Sequence, residues 1–249
     1  MKICVVGNSQ IAAFKGGWDI VHNEFPAIEV TFFGAHQRHW HALKRVGDVL
    51  VASSSELREP LMHTSGGLDH IATSYDRHVV IGNSFGARAF LSFVEANRTK
   101  VQDDDFIWLA AEAMRKTPAF RIMDMLTDLS PVPLAGVPTP FHSEDGPEDS
   151  YGITLNWGST QKLAALYREL LAYLADHHWF HLFQQPQETI SRPFFTKAVY
   201  SINAERMQGK GQNQVPEDFT HMNAEFGALC WREILTDHFF LGSSVPETA

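Results

Sequence analysis

The sequence has few cysteines, few basic residues and no long apolar run. Its 249 residues include only two cysteines, Cys4 and Cys230. Because these lie far apart in the sequence, they argue against a disulfide framework and indicate a reducing compartment. Lysine and arginine number 20 against 29 acidic residues, for a formal net charge of -9. This acidic balance makes nucleic acid and anionic membrane poor partners, since a surface that binds phosphates needs a basic excess.

The apolar segments are too short for a membrane or a secretion signal. No segment approaches the roughly 20 apolar residues of a membrane-spanning helix. The first apolar run, residues 3–6, has only the length of a strand. We therefore expect a cytoplasmic protein with no membrane partner. The 18 Phe and 6 Trp supply apolar area for a core without metal or disulfide, and we expect a single domain over residues 1–249.

Short apolar runs that end at glycine or proline alternate with amphipathic stretches. The runs predict strands at residues 3–6, 28–33, 78–81, 132–137 and 179–183. The amphipathic stretches predict helices at residues 11–22, 36–46, 87–96, 103–129, 159–177 and 223–239, and residues 48–67 are expected to be irregular. The alternation is typical of an α/β fold in three layers, α/β/α, with a mostly parallel five-stranded sheet. Ligands bind beyond the carboxyl ends of such strands, where we expect Gly7, Gly34 and Gly82 to meet.

A serine lies directly after the first predicted strand, in the motif Gly7-Asn8-Ser9. Glycine permits a sharp turn, and the hydroxyl then lies near free backbone N–H groups that can stabilise an oxyanion. A serine needs a base before it can act as a nucleophile. Taken alone, the motif is explained as well by Ser9 acting only as a helix N-cap.

A possible base lies just before the last predicted helix. Three positions separate Asp218 from His221, and this spacing lets the carboxylate bind one ring nitrogen while the other faces a pocket. That is the orienting geometry of a Ser-His-Asp triad. Alone, the pair could equally be a helix-capping aspartate beside a surface histidine.

Together, the two motifs and the α/β order resemble the SGNH (GDSL-type) hydrolase family over nearly the whole chain. The resemblance implies a flavodoxin-like sheet and an esterase or deacylase that uses no cofactor. It implies that Ser9 is the nucleophile, His221 the general base and Asp218 its orienting carboxylate. The substrate would be a small-molecule or glycan ester, for example an O-acetyl group on a sugar.

The same resemblance implies an oxyanion hole. Its donors would be the Ser9 N–H, the N–H of Gly34 at the end of the second strand, and the side-chain amide of Asn83. The family usually has Gly-Asp-Ser in its first block and Gly-x-Asn-Asp in its third. Here Asn8 replaces the aspartate, and Gly82 and Asn83 are adjacent.

A second serine offers an alternative nucleophile. Residues 82–86 match the G-x-S-x-G pattern of the α/β-hydrolase nucleophile elbow, with Ser84 at its centre. Only two clear strands precede this motif, and Asp218 and His221 are closer in sequence than in that fold, so Ser9 is favoured. Two further alternatives stay open: an O-acyltransferase, and a catalytically silent carbohydrate-binding protein of the same fold.

Histidine clusters and aromatic pairs complete the candidates. The clusters are His36, His39 and His41, and His177, His178 and His181. Neither carries the Cys or Glu pattern of a zinc motif, so we predict no metal. His36 or His39 could line the cleft because both follow Gly34. Phe194 and Phe195 could wall a substrate pocket or belong to the core.

Overall fold

The computed structural model describes residues 1–101, 105–147, 149–151, 157–177, 180–204, 207, 218–237 and 240, without the side chains of residues 157–159. The strands are β1 (Lys2–Gly7), β2 (Glu29–Gly34), β3 (Leu43–Val46), β4 (Val49–Ala52), β5 (His70–Ala72), β6 (Arg77–Gly86), β7 (Leu134–Thr139), β8 (His142–Ser143), β9 (His181–Leu182), β10 (Ile190–Arg192) and β11 (Phe195–Thr196). The α-helices are α1 (Ile11–Val21), α2 (Ser55–Ser65), α3 (Ala87–Ala96), α4 (Phe106–Arg115), α5 (Pro118–Leu129), α6 (Trp157–His177) and α7 (Ala224–Thr236).

Five strands form the central sheet, in the order β2-β1-β6-β7-β9. Every neighbouring pair in this sheet is parallel. Numbered by their own sequence, these strands run 2-1-3-4-5, which is the flavodoxin-like order. The predicted α/β fold with a five-stranded parallel sheet is therefore confirmed.

The two faces of the sheet bury separate apolar clusters, and β1 contributes to both. Ile3 and Val5 lie in the cluster that α1 and α7 cover. Cys4 and Val6 lie in the larger cluster on the other face, which helices α2 to α6 cover. All four side chains are fully buried. Because side chains alternate along a strand, a run that is apolar at every position forms a strand buried on both faces.

Helices α1 and α7 cross on one face at two glycines. A Cβ atom added to Gly17 would come within 2.3 Å of the Ala228 backbone nitrogen, and one added to Gly227 would come within 1.9 Å of the Ala13 carbonyl oxygen. Neither position has room for a side chain, so the two helix backbones are in direct contact there. The buried indole of Trp231 joins the same pair, donating to the Phe14 carbonyl oxygen at 2.7 Å.

The prediction of a helix over residues 36–46 is wrong. The segment is a 3₁₀ helix over Gln37–Ala42 followed by β3. β3 and β4 form an antiparallel hairpin in which Val46 pairs with Val49 across a two-residue turn. Gly47 has φ of +60° at that turn, a conformation that glycine adopts without strain. The sequence Val46-Gly47-Asp48-Val49, with a glycine turn between two β-branched residues, was the hairpin signal.

The expectation of an irregular segment over residues 48–67 is also wrong. It contains β4 and helix α2. Leu57, Leu61 and Thr64 recur at helical spacing and are buried, although Pro60 lies inside the helix. Proline in a helix interior removes a backbone hydrogen bond, which weakened the sequence pattern without preventing the helix.

The other predicted helices are present with small shifts at their ends. Within the predicted stretch 103–129 the structure has two helices, α4 and α5, and α5 begins at Pro118. Residues 103 and 104 lie outside the described residues. Proline suits the first position of a helix because its missing N–H would have no partner there. Across the described part of the chain, no helix combines the length and the apolar character needed to cross a bilayer.

Candidate active site

Ser9 lies on the turn between β1 and α1, at the carboxyl end of the central sheet. The Asn8 side chain stabilises this turn, since its Oδ1 accepts a hydrogen bond from the Gln10 backbone N–H at 3.1 Å. The same oxygen lies so close to Gly82 that a Cβ there would come within 2.7 Å of it. Asn8 therefore holds the turn that carries Ser9 against Gly82 of β6.

His221 lies beside Ser9, although 212 residues separate the two in sequence. Its Nε2 is 2.8 Å from the Ser9 Oγ. Its Nδ1 is 2.9 Å from Oδ2 of Asp218 and 3.0 Å from Oδ1. The structure thus brings together all three residues of the predicted triad, in the order carboxylate, imidazole, hydroxyl.

The Asp218 carboxylate is held by its own loop. Its Oδ1 accepts from the backbone N–H groups of Thr220 and His221, both at 3.2 Å, and from the Thr220 hydroxyl at 3.1 Å. The Asp218 side chain is 4% exposed. Several donors hold this carboxylate in one position, so it can fix the ring orientation of His221.

A further hydrogen bond connects the loop that carries His221 to the turn that carries Ser9. Gln10 is buried, and its side-chain amide donates to the Thr220 carbonyl oxygen at 2.9 Å. The residue that follows Ser9 therefore binds the residue that precedes His221. Sequence reasoning missed both Gln10 and Thr220, and their only signal was adjacency to the two motifs.

Gly34 is not positioned as the predicted oxyanion donor. Its N–H donates to the Thr64 hydroxyl at 2.8 Å. Thr64 lies in α2 and is itself buried. A backbone N–H offers one proton, so this group has none left for a substrate. The role implied for Gly34 is corrected on this ground.

The oxyanion-donor role implied for Asn83 stays a prediction. The residue is fully buried, and both polar atoms of its side chain lack a hydrogen-bond partner among the described residues. Asn83 does not line the depressions around Ser9, whereas Ser84 lines one of them. Gly82, Asn83 and Ser84 all have positive φ.

Gln37 lies in the region where those donors were expected. It begins the 3₁₀ helix after β2, and its side-chain amide contacts the Ser84 hydroxyl. Gln37 lines both depressions that meet at Ser9. Within the described chain, the Ser9 N–H has no hydrogen-bond partner. Sequence analysis missed Gln37 because it lay inside a wrongly predicted helix.

Ser84, the alternative nucleophile, faces the same cleft but not the histidine. The Ser84 hydroxyl contacts the side-chain amide of Gln37, whereas the Nε2 of His221 is directed at the Ser9 hydroxyl. The geometry of an activated nucleophile, a hydroxyl within hydrogen-bond reach of a base, is therefore present at Ser9.

Two open depressions meet at Ser9. One has a volume of about 540 Å³ and extends along the 3₁₀ helix toward the start of α5. The other has a volume of about 360 Å³ and includes His221, the first turn of α3 and His142. Burial, and then the nearby Arg88, lower the pKa of His142 to about 4. Both depressions give a substrate access to the hydroxyl.

The remaining candidates lie outside this cleft or at its border. His36 lines the larger depression, whereas His39 lines neither. Phe194 lines a separate cavity of about 600 Å³, and Phe195 is buried against Tyr151. His178 lies outside the described residues. Among those described, no three His, Cys, Asp or Glu side chains cluster in a way that could hold a metal ion.

Comparison with known proteins gives distant matches. No family model and no curated protein matches the chain. A Streptococcus pneumonia structure, provisionally described as a platelet activating factor, is 10% identical with a TM-score of 0.45 and covers 94% of this chain and 81% of its own. The lipase Lip_vut3 from a goat rumen metagenome is 8% identical with a TM-score of 0.41 and covers 94% of this chain and 96% of its own. Neither likeness is close enough to assign an activity.

Proposed function

We propose that this chain is a serine hydrolase of the SGNH type that cleaves a carboxylic ester through an acyl-enzyme. The observation that supports it is the continuous arrangement from Asp218 through His221 to Ser9, with 2.9 Å and 2.8 Å between successive polar atoms. Two chain segments far apart in sequence supply these groups. A capping serine or a surface histidine would not require this alignment.

The chemistry follows from the contacts. Asp218 accepts from Nδ1–H of His221, so Nε2 has the free lone pair that accepts the Ser9 proton. The Ser9 Oγ attacks the ester carbonyl carbon, and the carbonyl electrons move to oxygen. The imidazolium then gives its proton to the leaving alcohol as the C–O bond breaks. A water molecule, deprotonated by His221, releases the acid and restores Ser9. No cofactor takes part in this scheme.

The oxyanion that forms needs hydrogen-bond donors within reach of Ser9. The unpartnered N–H of Ser9 is the first, and the side-chain amide of Gln37 is the second that we propose. An amide donor of this kind is worth about a hundredfold or more in kcat. Gln37 takes the place of the Gly34 donor that the family resemblance implied, because the Gly34 N–H is bound to Thr64.

A fluorophosphonate probe tests the proposal, because it reacts only with an activated serine. We expect stoichiometric labelling at Ser9, loss of labelling and of p-nitrophenyl acetate hydrolysis in Ser9→Ala, and retention of both in Ser84→Ala. Ser84→Ala is the matched control because it removes the same hydroxyl from the same cleft. Labelling at Ser84 would favour the α/β-hydrolase alternative. A folded protein with neither labelling nor turnover would be the silent binding protein.

A further inference from the structure

The larger of the two depressions at Ser9, which we call the basic depression, is lined by cationic side chains. Arg38, Lys116 and Arg121 contribute to its wall, together with His36 and His41. No aspartate or glutamate is present among the described residues that line it. The chain as a whole carries 29 acidic and 20 basic residues, so this lining runs against the overall composition.

No carboxylate among the described residues forms an ion pair with any of the three cations. Within the described residues, Arg38 and Lys116 form no ion pair, and Arg38 Nε donates to the ring nitrogen Nε2 of His39 at 3.0 Å. The Arg121 guanidinium donates to the carbonyl oxygens of His41 and Leu43 at 3.2 and 3.3 Å. These acceptors are neutral, so the positive charge remains available to a ligand.

The positive potential acts on the groups already in the depression. The pKa of His36 is lowered, first by partial burial and then by the charges of Arg38 and His39. The second depression carries one more cation, Arg88, and no acidic residue among its described lining. A concave surface lined by one sign of charge concentrates ligands of the opposite sign.

We propose that the ester substrate carries an anionic group, a carboxylate, phosphate or sulfate, which binds in the basic depression while the ester carbonyl lies at Ser9. Ser9 itself lines that depression, so one small molecule can reach both. The inference rests on the proposed function and narrows its substrate class. It leaves two positions for the charge, on the alcohol part or on the acyl part of the ester.

Matched pairs of esters test the charge and its position. Hydrolysis of 4-acetoxybenzoate is compared with that of its methyl ester, and phenyl hydrogen succinate with phenyl methyl succinate. Each kcat/KM is divided by the rate of alkaline hydrolysis of the same ester, which removes intrinsic reactivity. We expect the anionic member of one pair to be preferred by tenfold or more, and the pair that shows it identifies the part of the ester that carries the charge.

Charge variants connect the preference to the basic depression. Lys116→Gln or Arg38→Gln should lower the ratio of anionic to neutral kcat/KM about three- to tenfold, as expected for one charge at a solvent-exposed site. Lys162→Gln is the matched control, since Lys162 is exposed on α6 and lines neither depression. Raising the salt from 20 to 500 mM should reduce the wild-type ratio through screening.

A binding measurement separates this inference from the proposed function. Calorimetry on Ser9→Ala with 4-acetoxybenzoate, phenyl hydrogen succinate and their methyl esters needs no turnover. Tighter binding of an anionic ester without wild-type hydrolysis would overturn the proposed function and retain the anion site. Hydrolysis without preference for either anionic ester, unchanged by Lys116→Gln, would overturn the inference alone. An equal response to Lys162→Gln would also overturn it, because the effect would then be one of net charge.

Discussion

Replacing Asp218 with asparagine should abolish most activity while leaving the fold intact. Oδ1 of Asp218 accepts from two backbone N–H groups and the Thr220 hydroxyl, and His221 Nδ1 lies 2.9 Å from Oδ2 and 3.0 Å from Oδ1. An asparagine must keep its oxygen at the Oδ1 position, because its NH₂ group there would face two backbone donors. The NH₂ group then occupies the Oδ2 position.

This forced orientation determines the size of the effect. The NH₂ group then donates to His221 Nδ1 and favours the tautomer with its proton on Nε2, which cannot accept the Ser9 proton. A triad held in the wrong tautomer loses about 10⁴-fold in kcat, or roughly 5 kcal/mol of barrier. The loop bonds of Oδ1 survive, so we expect the free energy of unfolding to change by less than about 1 kcal/mol.

The assay is kcat on p-nitrophenyl acetate at pH 8, with urea unfolding of the same preparations. Thr220→Val is the control, because it removes a hydroxyl bond to the same carboxylate but leaves the tautomer unchanged, and it should cost no more than about tenfold. An Asp218→Asn variant with normal stability and kcat within tenfold of wild type would refute the orienting role of this carboxylate.

Two other outcomes are expected. Ser84→Ala should keep more than about a third of wild-type kcat on p-nitrophenyl acetate, because the base faces Ser9, and a loss as large as that of Ser9→Ala would contradict our choice of nucleophile. Burial lowers the pKa of His78 to about 4 in the folded protein, compared with about 6.5 in the unfolded chain. As the pH drops from 6.5 to 4, the unfolded chain therefore takes up a proton that the folded protein does not, and the free energy of unfolding falls. This linkage is worth up to about 3 kcal/mol, and urea unfolding at pH 7 and 4.5 should show a weaker pH dependence for His78→Leu.

The central sheet was predictable from sequence because its signals are local. Its strands contain short apolar runs. The fully buried run at residues 3–6 predicts a strand buried on both faces, and that prediction does not depend on which helices cover it. The motif around Ser9 and the spacing of Asp218 and His221 were also visible, because the turn and the loop are each set by neighbouring residues. That the two meet was implied by the resemblance to the SGNH family rather than by either motif alone.

The oxyanion donors were not predictable for the opposite reason. The availability of the Gly34 N–H depends on Thr64, which lies 30 residues later in a helix that sequence reasoning did not find. The backbone at Asn83 runs through three successive positive φ values, a path that propensities do not indicate. Such roles are decided by contacts between elements rather than by residue type.

The crossing of α1 and α7 fixes more than the stability of that face of the fold. Ser9 lies two residues before α1, and His221 three residues before α7. We therefore expect the distance between Ser9 and His221 to depend on how closely the two helices approach at Gly17 and Gly227. A single methyl group at either glycine would separate the helices and lengthen the Ser9–His221 hydrogen bond from a distance. The alignment that we propose for catalysis is thus tied to helix spacing, and it could be altered without changing any residue that lines the cleft.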